Sequence, residues 1–387
     1  MPSWKTRLIH SDARPREGFA SLVPPVHRAS TTLFPSAAAV RDDWREEGGY
    51  TYGLYGTPTT RELAARIAEL EHGRHTFLTP GGQAAIALIH CAFGSAGDHV
   101  LVPDHAYGPH RELATEVLRR FGIDIEFYPP LIAGEIEGLL RANTRLVWCE
   151  SPGSVTMELQ DVPAIANAAH ARGAVVALDN TYSSGVYFDA FAHGVDVTMQ
   201  ALTKYIGGHS DVLLGSVTVR DPALYERLGP VHGQLGLAVS GDECSLALRG
   251  LQTLAIRLTA LERNTLAVAR WLAERDAIAT VLHPALPSCP GHEIWRRDFT
   301  GSTSIFSVVF KEGIREEAIL AFINALTLFK IGYSWGGVTS LAVPCFDLQR
   351  THGPSYARRL VRFNIGLEDT QDLVQDLSHA FELSGIR

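Results

Sequence analysis

The stretch Gly173 to Asp211, GAVVALDNTYSSGVYFDAFAHGVDVTMQALTKYIGGHSD, decides the fold. Ala174 to Leu178 is a short apolar, β-branched run that reads as a buried parallel strand and stops on a carboxylate at Asp179. A second such run, Val195 to Leu202, stops on Thr203 and Lys204. In an open α/β sheet the carboxyl ends of the strands line the binding crevice, so this acid and this amine are expected to face one ligand. The pair suits pyridoxal phosphate, with the lysine as covalent anchor and the aspartate as partner of the pyridine nitrogen. The same two residues also read as a surface lysine and an acidic helix cap.

Working outward, other strand-like runs deliver polar residues to the same edge. His99 to Pro103 leads into DHAYGPH with Tyr107, a ring able to stack on a planar cofactor or to pack a half-buried loop. Arg145 to Cys149 leads into ESPGSVTMELQD. Helical patterns lie between them, for example Val162 to Arg172, which predicts βα units and a mainly parallel sheet. Leu78 to Asp98 is a Gly-Gly turn opening an apolar helix. The first-turn amides of Gly82 and Gln83 could grip a phosphate there, or the turn could be a plain loop-to-helix junction.

Toward the amino terminus, Tyr50 to Gly73 passes from an aromatic and glycine loop, YTYGLYGTPTT, into a helix with Leu63, Ile67 and Leu70 at helical spacing. Residues 1 to about 50 read as an irregular arm. Toward the carboxyl terminus, leucines recur at near-helical spacing from Ser240 to about Arg275, as in a helix that spans between domains. The remainder reads as a smaller α+β unit. The expected division is 1–55 for the arm and an inter-subunit loop, 56–245 for the large domain and 246–387 for the small one.

The 387 residues are 46% hydrophobic and 20% charged, with a net charge of −8, so nucleic acid and anionic membrane surfaces are poor partners and small molecules are natural ones. Five cysteines without CxxC spacing indicate neither a disulfide framework nor a zinc site, and a reducing, cytoplasmic setting is expected. No secretory h-region or apolar run of membrane-spanning length is present. His99, His105 and His110 lack HExxH spacing, so no metal site is expected. No GxGxxG lies at a strand–helix junction with an acid about 20 residues on, which argues against a nicotinamide dehydrogenase.

Several blocks then resemble the cystathionine β-lyases, within the Cys/Met-metabolism group of fold type I pyridoxal phosphate enzymes. These are ESPGSVTMELQDVP at 150–163, LDNTYSSGVYFDAFAHGVDVTMQALTKYIGGHSD at 178–211, HPALPSCPGHEIWRRDFTGSTSIFS at 283–307, YSWGGVTSL at 333–341 and RFNIGLED at 362–369. The resemblance runs from about Thr6 to the carboxyl terminus. It implies a transferase-like α/β fold with a seven-stranded, mainly parallel sheet, and a homotetramer of dimers that share active sites. It also implies Lys204 as the Schiff-base lysine, Asp179 at the pyridine nitrogen and Tyr107 stacked on the ring. Gly82, Gln83 and Thr203 would hold the phosphate, with Tyr52 reaching it from the neighbouring subunit. Arg362 and Ser334 would hold the substrate α-carboxylate, with Trp335 as a pocket wall.

The activity so implied is β-elimination from cystathionine or a related cysteine S-conjugate, as in transsulfuration and methionine biosynthesis. A γ-acting relative and a non-catalytic cofactor-binding regulator are the rivals. ESPGS and YSWGG favour the β branch. One loop departs from the family text: where the family commonly has Tyr-Gly-Arg-Arg-Gly-Thr, this chain has Tyr52, Gly53, Leu54, Tyr55, Gly56 and Thr57. The second arginine lies toward the far end of the substrate in the family, so Tyr55 implies a pocket more tolerant of apolar S-substituents. The alternative is that another cation, such as Arg28 or Arg111, fills the gap.

Overall fold

The computed structural model describes residues 3–9 and 21–386. Strands β1 (His75–Thr79), β2 (His99–Pro103), β3 (Asp124–Tyr128), β4 (Thr144–Glu150), β5 (Val175–Asp179), β6 (Val197–Gln200) and β7 (Gly215–Val219) form one sheet in the order β1-β7-β6-β5-β4-β2-β3. The pairs from β3 through β2, β4 and β5 to β6 are parallel, while β7 runs antiparallel to β6 and β1. The sheet is therefore mainly parallel, as expected.

Alternation along each strand explains why both sheet faces are covered. Leu101, Val147, Cys149, Val176 and Leu178 belong to one apolar cluster. Val100, Val102, Leu146, Trp148, Ala177 and Val197 belong to the other. Each buried leucine or valine contributes on the order of 1.5–3 kcal/mol, so a one-residue slip in register would be costly on both faces.

Local capping sets where the helices start. Thr57 closes a capping box with Thr60 ahead of Pro58–Leu70, and that helix buries Leu63, Ile67 and Leu70. Asp161 accepts a hydrogen bond from the Ala164 amide at 3.1 Å and opens Val162–Ala171. The expected long helix runs Gly241–Ala273, 33 residues, from beside the first sheet to a second. That second sheet is antiparallel, with β8 (Ile278–Leu282), β9 (Ile305–Phe310), β10 (Leu341–Pro344) and β11 (Leu360–Asn364) in the order β10-β11-β9-β8. Phe306, Phe310, Phe322, Phe363 and Phe381 fill its core.

The amino-terminal arm holds a short helix, Trp4–Ile9, that the sequence reading did not anticipate; Leu8 seats in the cluster containing Leu63 and Leu70. Residues 10–20 of the arm lie outside the described residues. Beyond them, as far as Tyr52, which bridges to Thr31, the chain is irregular apart from two short 3-10 turns, Ala37–Ala39 and Glu46–Gly48. No helix is long and apolar enough to cross a membrane among the described residues.

Strand β6 is shorter than the sequence run suggested. It ends at Gln200, and the Thr203 amide then donates to the Leu214 carbonyl, Lys204 to Ala201 and Gly207 to Leu202. Lys204 sits in the turn these bonds close, next to the carboxyl ends of β4 and β5.

Candidate active site

A cavity of about 240 Å³ opens at this edge of the large sheet, lined by residues from several strand ends and loops. It gathers Gly82, Gln83, Tyr107, Asp179, Thr203, Lys204 and Trp335. Tyr52 and Tyr55 are not brought to it. Tyr52 is half exposed, and Tyr55 lines a separate hollow with Trp44 and Tyr225.

One end of the cavity is the start of helix Gly82–Phe93. The first amides of a helix have no acceptor within it, so Gly82 and Gln83 present donors where the helix dipole favours an anion. A Cβ at Gly82 would stand 2.8 Å from the Ala201 Cβ, so a glycine is needed for this close approach. Thr203 stands on the same side, its hydroxyl donating to the Leu214 carbonyl at 3.1 Å while accepting from the Leu214 amide. This end can hold a phosphate.

The other end carries the charges. Asp179 and Glu150 are paired neighbours in the β4–β5 register, so both carboxyls enter the cavity from adjacent strand ends. The Thr181 amide donates to Asp179 Oδ1 at 2.9 Å, and the Tyr107 amide donates to Glu150 Oε2 at 2.8 Å. Burial raises the Asp179 carboxyl, opposed by its own hydrogen bonds and the Lys204 charge. Burial, and then the Asp179 charge, push Glu150 well above the usual carboxylate range. Of the two, only Asp179 has the Lys204 charge opposing the effect of burial.

Lys204 Nζ donates to Ser334 Oγ at 2.7 Å and lies 5.2 Å from the Trp335 ring centroid. Burial, and then the Arg362 charge, lower its ammonium to about 8, against the pull of Asp179. A lysine at that value supplies a neutral amine near neutral pH, which suits both nucleophilic attack and proton transfer. The Ser334 loop is seated on the lysine turn. Gly336 has φ of 83°, and a Cβ there would meet the Lys204 carbonyl carbon and Tyr205 nitrogen at 3.0 Å. Arg362, on β11, is half-buried and donates to the Ser334 carbonyl at 3.3 Å, which ties it to the loop that contacts Lys204.

Glu150, Thr181 and Ser154 line the cavity without having been singled out from the sequence. Glu150 carried the same signal as Asp179, a carboxylate closing a buried strand. The three histidines of the Tyr107 region serve the fold: His99 pairs with Thr144, His105 donates to the Glu150 carbonyl at 2.7 Å, and His110 pairs with His90. Both cations offered for the altered loop are engaged elsewhere. Arg28 binds the Asp242 carboxylate, and Arg111 binds Asp104 while lying 4.0 Å from the Phe127 ring centroid.

Comparison with known proteins agrees with this geometry. Cystathionine beta-lyase of Bordetella avium is 40% identical over 95% of this chain and 94% of its own length. Cystathionine beta-lyase MetC of Escherichia coli is 38% identical over 97% of each chain. The crystal structure of cystathionine gamma-lyase from Lactobacillus plantarum complexed with L-serine superposes with a TM-score of 0.89, covering 99% of this chain and 100% of that one at 27% identity. The description "Cys/Met metabolism PLP-dependent enzyme" matches residues 5–382, and with full-length relatives at this identity the chain belongs to that pyridoxal-phosphate-dependent family.

Proposed function

We propose that this chain is a carbon–sulfur β-lyase that cleaves cystathionine or a related cysteine S-conjugate to a thiol, pyruvate and ammonia; from cystathionine the thiol is homocysteine. The observation that carries the reading is the meeting of Lys204, Asp179 and Tyr107 in one cavity whose far end is a glycine-opened helix start. Pyridoxal phosphate, when bound, supplies an aldehyde for a lysine amine and a ring that draws electrons from the substrate α-carbon. The donor set fits it: the Gly82 and Gln83 amides would hold the phosphate, the Thr203 hydroxyl would join them by turning its hydrogen from the Leu214 carbonyl, and Tyr107 would face the flat ring.

The chain's own residues would then divide the work. Asp179 would favour a protonated ring nitrogen by its charge. Lys204 would hold the cofactor, and its free amine would take the proton from the substrate α-carbon. Ser334, already bonded to Lys204 Nζ, orients that amine. Arg362 and Ser334 hold the α-carboxylate, where a guanidinium fork suits two carboxylate oxygens, and Trp335 closes one side of the pocket. Tyr52 and Tyr55 would enter from a neighbouring subunit of a homotetramer, consistent with their position away from this chain's own cavity. We place the enzyme in the cytoplasm, in keeping with five unpaired cysteines.

The γ-acting reading shares the lysine and the aspartate. Identity favours the β branch, since the two β-lyases stand at 40% and 38% and the solved γ-lyase at 27%. Incubating purified, cofactor-loaded protein with S-substituted cysteines and homocysteines separates the two. Pyruvate from cysteine conjugates is expected, and 2-oxobutyrate as the main product would overturn the reading.

A further inference from the structure

Glu71 is buried at the end of helix Pro58–Leu70, 2% exposed and outside the cavity lining, and it has no part in the chemistry above. Its two carboxyl oxygens accept from two different strand ends. Oε2 takes the Asn180 Nδ2 at 3.1 Å, and Oε1 takes the Gln200 Nε2 in a short contact. Asn180 directly follows Asp179 at the end of β5. Gln200 closes β6 and leads into the turn that holds Lys204, whose amide donates to Ala201.

The clamp is tightly packed. Asn180 is 0% and Gln200 1% exposed. The Ser183 hydroxyl donates to Asn180 Oδ1, and Asn180 Nδ2 also donates to the Phe188 carbonyl at 3.4 Å. Gly185, at φ of 69°, passes so close that a Cβ there would stand 3.2 Å from the Glu71 carboxyl carbon. A parallel tie runs above it, since Thr181 Oγ1 accepts from the Ala201 amide at 2.9 Å while the Thr181 amide holds Asp179. The two strand ends, already paired through the Asn180 amide and the Met199 carbonyl at 2.9 Å, are thus joined twice more by side chains, and Glu71 supplies one of those joints.

We infer that Glu71 is a positioning residue: by binding Asn180 and Gln200 together, its carboxyl group sets the separation of Asp179 and Lys204. The inference rests on the proposed roles of those two residues. A carboxylate suits the task because each of its oxygens accepts, and both partners present amide hydrogens. The groups facing it are Asn180 and Asp189 from the segment after β5 and Thr198 and Gln200 from β6, of which only Asp189 is ionisable. Burial above all raises the Glu71 carboxyl to about 7, so its proton is exchanged near neutral pH.

The test is a pair of substitutions. E71Q keeps the shape but offers one oxygen, so an amide donor faces another or the Gln200 amide must turn over, and either breaks the wild-type clamp. We expect kcat to fall about tenfold or more while KM changes less than about threefold, because Ser334 and Arg362 come from other elements. The affinity of the apoenzyme for pyridoxal phosphate should fall as well. E71Q/Q200E exchanges the two groups: the amide then sits at the helix end and donates to a carboxylate on β6, while its oxygen still accepts from Asn180. Recovery of kcat and cofactor affinity to within about threefold of wild type is expected.

The apoenzyme gives a further readout. The folded chain holds the Glu71 proton more tightly than the unfolded chain does, so wild-type stability relative to E71Q should decline as pH rises from about 4.5 to about 7 and level off above. An E71Q enzyme within about twofold of wild type in kcat, or a double variant no better than E71Q, would overturn the inference. Should E71Q fail to fold, the double variant decides alone by the same criterion. Finding the cofactor on a lysine other than Lys204 would instead remove the reading on which the inference rests, independently of both variants.

Discussion

The strand-end cavity and the loop Tyr52–Thr57 lie in one chain and differ in how much of their function the chain contains. The cavity is complete within the fold: neighbouring parallel strands deliver Glu150 and Asp179 in register, and a hydrogen-bonded turn delivers Lys204. The loop is held at its base by the Thr31 bridge and the Thr57 cap, yet Tyr52 is half exposed and no loop side chain reaches this cavity. Backbone topology thus fixes the groups proposed to react, while on the proposed reading the loop acts only from a second copy.

The largest effect that could break this contrast is at Lys204. Lys204→Ala should remove borohydride-trappable cofactor and lower kcat by about 10³-fold or more, since anchor and base go together. Residual turnover within tenfold of wild type would show that the reacting base lies elsewhere. Asp179→Asn comes next, with an expected loss of about 100-fold in kcat and little change in thermal unfolding, because an amide fills the same space without the charge. Near-normal turnover with cofactor fully bound would remove Asp179 from the account. Arg362→Ala should raise KM for amino-acid substrates by about 10–100-fold, the worth of a charge-assisted carboxylate contact, with a smaller change in kcat.

The smallest effect concerns the loop and sharpens the comparison most. With Tyr55 in place of an arginine, kcat/KM for cystathionine should exceed that for S-benzyl cysteine by less than about 100-fold, and Tyr55→Arg should widen the ratio. A wild-type preference of about 100-fold or more, near 2.7 kcal/mol, would mean that another cation serves the distal group. In this chain Arg28 and Arg111 are already committed to Asp242 and Asp104.

What was legible in the sequence follows the same division. Short apolar runs ending on Asp179 and near Lys204 indicate the parallel sheet and the edge at which the cavity opens, because the pattern is local there. The end of β6 was misjudged by two residues, since Ala201 and Leu202 are apolar but their backbone is recruited by the Lys204 turn. Glu71 was invisible, as it lies on a helix far from its partners in sequence and only the fold brings Asn180 and Gln200 to it. The helix at Trp4–Ile9 was missed because its support is tertiary, Leu8 against Leu63 and Leu70.

The claim that the strand-end pair is the reactive centre can be tested without choosing a substrate. Apoenzyme is mixed with pyridoxal phosphate across a pH series, capture is followed by absorbance, and the product is reduced with borohydride and mapped to a peptide. The neutral amine is the attacking form, so the capture rate should climb as pH rises through about 8 and then level, with the label on Lys204. A rate flat from about pH 6 to 9, or a label on any other lysine, would contradict the account.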